Sequence, residues 1–330
     1  MDDSSSEREG QSTGSPDAVP KPPHPQVRRE PLPSEALAPH EDDPTAEERV
    51  RTLLASPAYV QADSDVAFLA EDDTRGVRLQ LDYMKAEQYL RAHGVAHTIV
   101  AFGSTRIPEP KEAERAVRRH REALGGGADE ERGRRLRVAE RIAANSRYYE
   151  VARDFGRLVG EAEDLDGGGR LVVVTGGGPG MMEAANRGAF EVGAKSVGLN
   201  IRLPLEQFPN PYLTPDLCFQ FHYFAIRKLH FLLRAKALVA FPGGYGTLDE
   251  LFDTLALVQT RTMEPVPIVL VGEEFWRRAI DFDFLVEEGV IDLEDRDLFW
   301  YAETADEIWS GILRWHELAG KPLLRFGASR

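Results

Sequence analysis

The chain twice follows the same order of segments: a short apolar run, a glycine-rich turn and then a helical pattern. In the first case Leu171–Thr175 leads into Gly176–Gly180, and in the second Ala237–Phe241 leads into Pro242–Gly246. A helix that starts directly after such a turn points its first backbone N–H groups past the end of the strand, where they favour a phosphate or another anion. The sequence therefore predicts a pocket for a phosphorylated small molecule.

Apolar runs and helical patterns alternate along most of the chain. The apolar runs are continuous, without the alternation of a half-exposed strand, which is typical of a parallel sheet that is covered on both faces. The pattern predicts an α/β fold with a doubly wound parallel sheet and helices on both faces. The predicted strands lie near 97–102, 171–175, 196–200, 217–221, 237–241 and 267–271, and helices near 181–192, 223–236, 247–261, 273–288 and 304–318.

The chain divides by composition into a tail and one folded domain. Residues 1–44 are rich in proline and acids and hold almost no large apolar side chains, so we expect a disordered tail. Residues 45–330 are predicted to form a single domain, with helices over 45–95. Arg and Glu are interspersed over 109–145, which predicts a charged, solvated helical insertion.

Charge and cysteine content restrict the partners of the chain. Its formal charge is −15, which repels nucleic acid and anionic membranes, so we expect neither as a partner. No apolar run approaches the roughly 20 residues that span a bilayer. Cys218 is the only cysteine, which favours a reducing cytoplasm. His222 and His230 lack neighbouring carboxylates, so we expect no metal site, and nothing indicates a redox cofactor.

The first glycine turn supplies the candidate binding residues Gly176, Gly177, Gly178 and Gly180, although it lacks the third glycine of the dinucleotide fingerprint, because Met181 stands there. The glycines alternatively serve only to pack strand against helix. Glu183 and Asn186 follow in the first turns of the helix. Glu183 either complements the helix dipole or hydrogen-bonds a sugar or base.

The second glycine turn leaves two interpretations of Glu250. Thr247-Leu-Asp-Glu250 fits a capping box, in which Glu250 only secures the start of the helix. Glu250 is otherwise a carboxylate at the floor of the pocket. Arg227 lies in a largely apolar helical pattern, where a buried guanidinium needs a carboxylate or phosphate partner.

Three motifs together resemble the Lonely Guy (LOG) family of nucleoside 5′-monophosphate phosphoribohydrolases, and in particular its longer bacterial branch. They are Gly176-Gly-Gly-Pro-Gly-Met-Met-Glu-Ala-Ala-Asn186, the pair Arg227-Lys228 and Pro242-Gly-Gly-Tyr-Gly-Thr-Leu-Asp-Glu250. The similarity covers about Thr74 to Leu318. It implies a Rossmann-like homodimer without a cofactor. It also implies hydrolysis of the N-glycosidic bond of AMP or N6-modified AMP to free base and ribose 5-phosphate.

The resemblance also implies roles for individual residues. Arg227 and Glu250 match the catalytic arginine and glutamate of the family. Gly243, Gly244, Gly246 and Thr247 match the loop that cradles the phosphate. The other candidate substrate-binding residues are Gly103, Ser104, Gly176, Gly177, Gly178, Gly180, Glu183, Asn186, Lys228 and Tyr245.

Two other functions fit parts of the sequence. A nucleotide-binding sensor or carrier would keep both glycine loops and need no chemistry at Glu250. A lysine decarboxylase would need a lysine that forms a Schiff base with pyridoxal phosphate and a partner for the pyridinium. Lys228 follows an arginine within a helix, and no such partner stands nearby in the sequence.

Overall fold

The computed structural model describes residues 22–36, 41–124, 129–162, 169–204 and 208–324. The chain forms two units, Met1–Ala70 and Glu71–Arg330. Most of the expected tail over 1–44, and the glycines at 125–127, lie outside the described residues. The first unit contains helices α1 (Ala46–Leu54) and α2 (Val66–Ala70). The second unit contains the sheet and every candidate site residue.

Seven parallel strands form one sheet in the second unit, in the order β4-β3-β2-β1-β5-β6-β7. The strands are β1 (His97–Phe102), β2 (Leu171–Thr175), β3 (Ser196–Ile201), β4 (Cys218–Phe221), β5 (Ala235–Ala240), β6 (Ile268–Val271) and β7 (Phe299–Ala302). The order runs outward from β1 on one side and from β5 on the other. The topological switch point therefore lies between β1 and β5, and sheets of this kind bind ligands there.

Helices cover both faces of the sheet. The helices of this unit are α3 (Arg75–Ala92), α4 (Pro110–Leu124), α5 (Glu130–Asn145), α6 (Arg147–Glu161), α7 (Met181–Glu191), α8 (Phe224–Leu232), α9 (Tyr245–Gln259), α10 (Glu273–Ala279), α11 (Phe282–Glu287) and α12 (Ala305–Leu318). Side chains of α6, α7 and α12 form one core cluster, in which Phe155 and Met181 are fully buried. Side chains of α3, α8, α9 and α10 form the other, around Phe231 and Leu251. The predicted doubly wound α/β fold is confirmed.

The structure corrects several predicted elements. The helix expected over 223–236 ends at Leu232, because Ala235 already pairs with β1 as part of β5. The helix expected over 273–288 is two helices, since the Asp281 side chain accepts the Phe284 N–H and caps a new start. The sequence also gave no prediction of β7, a half-buried edge strand of four residues without the Val and Ile run of the inner strands.

No helix in the described part of the chain is long and apolar enough to cross a membrane.

Candidate active site

Three loops meet at the carboxyl edge of the sheet, beyond β1, β2 and β5. The Ser104 N–H donates to the carbonyl of Pro242 at 2.9 Å, which ties the loop after β1 to the loop after β5. The carbonyl of Ser104 accepts the Met181 N–H at 3.1 Å, which ties the same loop to the start of α7. Gly103 contacts the side chains of Met181 and Phe241 with no room for a Cβ. The structure therefore brings Gly103, Ser104 and both glycine loops together.

The second glycine loop, residues 243–247, is open to solvent where α9 begins. Gly244, the N-cap, and the next two residues, Tyr245 and Gly246, are all exposed. The Thr247 N–H donates to the carbonyl of Gly244 at 3.0 Å. The N–H groups of Tyr245 and Gly246 have no acceptor among the residues that the structure describes. These free donors at the positive end of a helix of 15 residues form a position for an anion.

Gly243 lets the Thr247 side chain fold back against this loop. A Cβ at Gly243 would overlap the Thr247 hydroxyl oxygen and lie 2.5 Å from Thr247 Cβ. Thr247 is buried, and its hydroxyl has no hydrogen-bond partner within the described ranges. The hydroxyl is therefore available to a ligand that the neighbouring N–H groups attract.

The first glycine loop, residues 176–180, is largely buried, and its helix start is partly occupied by the protein itself. Gly180 is the N-cap of α7 at φ 73°, and a Cβ there would overlap the carbonyl oxygen of Ser104. The first N–H group of the helix, that of Met181, already donates to this carbonyl. Because the loop after β1 lies against it, this helix start has less capacity for an external anion than the start of α9.

A buried polar network holds the first loop from below. The Thr175 hydroxyl donates to Asn186 Oδ1 at 2.7 Å and accepts the Gly177 N–H at 2.9 Å. Asn210 Nδ2 donates to the same Asn186 oxygen and to the carbonyl of Gly178, both at 3.0 Å. Asn186 is fully buried, so the structure places it beneath the loop. Its expected contact with substrate stays a prediction.

Arg227 and Glu250 meet between the two glycine loops. Arg227 Nη1 lies 3.3 Å from Glu250 Oε1, and the two side chains are only 13% and 6% exposed. Arg227 Nε donates to the carbonyl of Leu199 at 2.7 Å, which fixes the guanidinium. Its Nη2 lies 2.8 Å from the position that a Cβ of Gly176 would take. The Arg227 guanidinium therefore lies between the first glycine loop, at Gly176, and the carboxylate of Glu250.

Burial shifts the pKa of both charged groups. Burial raises the pKa of Glu250 to about 7, although Arg227 and Lys228 partly oppose this shift. Burial also lowers the pKa of Arg227, which Glu250 and Asp249 oppose. The carboxyl group of Glu250 therefore titrates near neutrality, where a general acid or base is most effective.

Lys228 and Tyr245 both line one groove. Lys228 Nζ forms an ion pair with Asp249 at 2.9 Å, and both residues line a shallow groove between α8 and α9 together with Tyr245 and Phe252. Tyr245 is 93% exposed. Lys228 is close enough to lower the pKa of Glu250 but is itself bound to Asp249, and its role in binding substrate stays a prediction.

Glu183 is held within the protein at the start of α7. Its Oε1 accepts the hydroxyl hydrogen of Tyr149, a buried residue of α6, at 2.9 Å. Glu183 is half-buried. The carboxylate thus has an internal partner, and a contact with sugar or base is left as a prediction.

The capping-box interpretation of Glu250 is wrong. The helix begins at Tyr245 with Gly244 as its N-cap, so Thr247 is the third helical residue and Glu250 the sixth. The pattern failed because the glycines allow a helical turn before Thr247. Glu250 instead turns its carboxylate to Arg227.

Sequence reasoning missed Asn210 and the carbonyl of Leu199. Both act from outside the glycine motifs: Asn210 stands 30 residues after Gly180 in the chain, and Leu199 belongs to β3. A backbone acceptor has no sequence signal. The only local signal at Asn210 is its position between two prolines, Pro209 and Pro211, which indicates a turn and not a contact.

The chain is similar to one protein family and to several known proteins. A family model described as possible lysine decarboxylase matches residues 182–312. The probable cytokinin riboside 5′-monophosphate phosphoribohydrolase LOG4 of Oryza sativa subsp. japonica is 37% identical over 83 residues, which cover 25% of this chain and 36% of that protein. The chain thus matches about a third of the rice protein's length.

Two further matches are longer. The cytokinin riboside 5′-monophosphate phosphoribohydrolase LOG3 of Arabidopsis thaliana is 29% identical over 168 residues, 49% of this chain and 73% of that protein. The X-ray structure of TM1055 has 18% sequence identity and a TM-score of 0.40, and the match covers 66% of this chain and 99% of that one.

The strand order and the switch point define a Rossmann-like α/β protein, with the open start of α9 at the carboxyl edge of its sheet. The family-model match over residues 182–312 and the phosphoribohydrolase relatives support membership of the Lonely Guy (LOG) family.

Proposed function

We propose that this protein hydrolyses the N-glycosidic bond of a nucleoside 5′-monophosphate, AMP or N6-modified AMP, to release the base and ribose 5-phosphate. The observation that carries the proposal is the buried pair of Arg227 and Glu250 beside the open start of α9. The relatives from rice and Arabidopsis are named as phosphoribohydrolases of cytokinin riboside 5′-monophosphates, which supports this reaction class.

The Arg227–Glu250 pair and the open helix start belong to the same part of α9. Glu250 stands five residues after Tyr245, about one and a half turns into the helix. A phosphate on the N–H groups of Tyr245 and Gly246 would leave the sugar of a nucleotide free to extend towards the Glu250 carboxylate.

The charges suit the transition state of glycosidic cleavage. The sugar develops positive charge as its bond to the base breaks. An ionised Glu250 stabilises that cation, and it accepts a proton from the attacking water. Arg227 holds the carboxylate through its Nη1 and is itself held by Leu199. Phosphate binding at α9 fixes the rest of the substrate while this step occurs.

The alternative chemistry named by the family model is less well supported. Its lysine would have to be Lys228, the only lysine among the candidate site residues. Although burial opposes the shift, the hydrogen bond to Asp249 raises the pKa of Lys228, whereas a lysine that forms a Schiff base must lose its proton.

A homodimer and a cytoplasmic location belong to the same proposal. Val77, Leu81 and Met84 form an exposed apolar stripe on α3, and Phe224 is exposed at the start of the neighbouring α8. Exposed apolar side chains at this spacing favour a protein contact. Light scattering of the purified protein tests the dimer. The single cysteine supports a reducing compartment.

A panel of nucleoside monophosphates tests the reaction directly. The purified protein is incubated with each nucleotide, and free base and ribose 5-phosphate are measured together. Equimolar release of both from AMP or an N6-modified AMP supports the proposal. Tight binding without release of base would contradict it and indicate a sensor or carrier.

A further inference from the structure

A second cavity lies away from the glycine loops, between α4 and α5. It has a volume of about 280 Å³ and opens between the two helices and the segment that follows Ser104. Its lining residues include Arg106 and Pro108 from that segment and none of the residues proposed to bind the nucleotide. The cavity therefore offers a separate binding position, which the proposed function does not use.

The floor of this cavity is apolar. It is formed by short aliphatic side chains of the two helices, Ala113 and Ala116 on α4 and Ala139 and Ile142 on α5. Ala113 and Ala139 are almost fully buried, whereas Val138 at the edge is 45% exposed. Small side chains at the helix contact leave a recess that a flat apolar group can fill, and burial of apolar surface there favours binding.

The rim of the cavity is basic. Four arginines surround it with His120, against one carboxylate, that of Glu112. Arg134 and Arg135 both bind Glu131, at 2.8 Å and 2.9 Å. Arg106 and Arg119 form no ion pair with any residue in the described part of the chain. The guanidinium groups of Arg106 and Arg119 are thus available to an anion. Those of Arg134 and Arg135 share the carboxylate of Glu131.

The basic character is local. Residues 109–145 contain ten Lys and Arg against eight Asp and Glu, in a chain whose formal charge is −15. Because the whole chain repels anions, an anion that binds here must be attracted over a short range by this rim. Guanidinium groups bind carboxylates and phosphates in bidentate fashion, which suits them to this task.

We propose that the cavity between α4 and α5 binds a small organic anion that combines one anionic head with a flat apolar body. The head lies against Arg106 and Arg119, and the body fills the recess above Ala113 and Ala139. The two parts of the cavity each recognise one part of such a molecule, so neither an inorganic anion nor a neutral aromatic compound satisfies both.

Titration of the full chain with 2-naphthoate, followed by calorimetry, tests this site. A carboxylate probe is used because a phosphate would also bind the start of α9. We expect 2-naphthoate to bind with one site per chain. Acetate and neutral 2-naphthol should each bind at least about tenfold more weakly, because each lacks one half of the recognised structure. Raising the salt concentration should weaken the binding of 2-naphthoate.

Two variants locate the site. The double variant Arg106→Gln/Arg119→Gln removes the two exposed guanidinium groups proposed to hold the anionic head, and we expect it to bind 2-naphthoate about tenfold more weakly. Val138→Asp places a carboxylate at the edge of the recess and should weaken binding to a similar extent. The matched controls are Arg278→Gln and Val290→Asp, both exposed and outside the cavity lining. They should bind like the wild type.

Several outcomes overturn the proposal. One is that the wild type and the cavity variants bind 2-naphthoate with equal affinity and have equal melting temperatures. Another is that the wild type binds acetate as tightly as 2-naphthoate. Tight binding of an oligonucleotide without binding of 2-naphthoate would also overturn it, in favour of a polyanion surface. Loss of 2-naphthoate binding in Glu250→Gln alone would assign the probe to the candidate active site. None of these results depends on nucleotide hydrolysis, so this inference and the proposed function fail independently.

Discussion

The two glycine loops share one sequence plan, but the structure uses them differently. Residues 176–180 are mostly buried, and the Met181 N–H is taken by the carbonyl of Ser104. Residues 244–246 are exposed, and the N–H groups of Tyr245 and Gly246 are free among the described residues. Glycines at the start of one helix allow close packing, and at the other they leave the backbone open to a ligand.

The topology explains this difference. The loop after β1 leaves the sheet at the switch point and lies against the start of α7, so it fills the space that an anion would need there. The same loop donates its Ser104 N–H to Pro242, before the second loop turns into α9. The loop after β1 therefore covers the start of α7 and supports the start of α9. We expect changes in the first loop to affect stability, and changes in the second to affect binding and catalysis.

The largest effect is expected from Glu250→Gln. The substitution keeps the shape of the side chain but removes the carboxylate, so kcat should fall by a factor of about 100 or more, while the affinity for AMP stays within roughly threefold. Release of base, measured with nucleotide binding on the same preparation, checks this. Glu274→Gln, at an exposed acid of α10 outside the candidate site, is the control. Wild-type turnover in Glu250→Gln would remove the catalytic role.

Gly180→Ala should lower stability more than any change in the second loop. Alanine at φ 73° is strained, and its Cβ would overlap the carbonyl oxygen of Ser104. We expect a loss of roughly 3 kcal/mol in the free energy of unfolding, measured by denaturant titration. Gly76→Ala, at a helical position with no atom within 4 Å of the added Cβ, is the control. An unchanged unfolding midpoint for Gly180→Ala would contradict the packing role of the first loop.

Gly243→Ala should weaken nucleotide binding with a smaller loss of stability. The added Cβ displaces Thr247, whose hydroxyl belongs to the expected phosphate position. We expect the Kd for AMP to rise about tenfold to thirtyfold, which corresponds to roughly 1.5–2 kcal/mol. Calorimetry measures the affinity and thermal unfolding the stability. If Gly243→Ala instead lost much stability and kept its affinity for AMP, the second loop would serve packing as the first loop does.

Activity should depend on pH through Glu250. The pKa of this carboxyl group is raised to about 7, so it becomes protonated as the pH falls through that value. If the reaction needs the carboxylate, kcat/KM at pH 6 should be about tenfold below that at pH 8. The same raised pKa stabilises the fold fully below about pH 4.5, and this contribution is lost as pH rises through about 7.

Thermal unfolding at pH 6 and pH 8 separates these two effects of Glu250. Glu250→Gln has no buried carboxylate to ionise, so its stability should change less than that of the wild type between pH 6 and pH 8, although loss of the partner of the buried Arg227 should lower its stability at both. A pH profile of kcat/KM that stays flat between pH 6 and pH 8 would contradict the raised pKa or the need for the carboxylate.

Asn210→Ala should have the smallest of these effects. It removes the donor to Asn186 and to the carbonyl of Gly178, for a loss of roughly 1–2 kcal/mol in stability. Asn210→Asp keeps the oxygen that accepts the Tyr212 N–H, but it sets a buried carboxylate against two acceptor oxygens, so it should lose at least as much stability as Asn210→Ala. Full stability in the aspartate variant would show that the donated bonds do not hold the first loop.

Much of the fold was predictable because its signals are local. The continuous apolar runs at β1, β2 and β3 indicated inner parallel strands, and the structure has them within one residue of the predicted bounds. Where two elements compete for the same residues the prediction failed, as at Ala235, which continues a helical pattern but pairs with β1. At β7 the signal was too short to distinguish an edge strand from a loop.

The sequence by itself determined the α/β class, the two strand–glycine–helix units, and the need of Arg227 for an anionic partner in an apolar helix. Only the tertiary structure decided that the partner is Glu250, that the helix start at 244–246 is the open one, and that Asn210 supports the other. The reason is physical. Local patterns fix which residues leave the sheet at each strand end, whereas burial, pKa and free hydrogen-bond donors depend on which distant segments then lie against them.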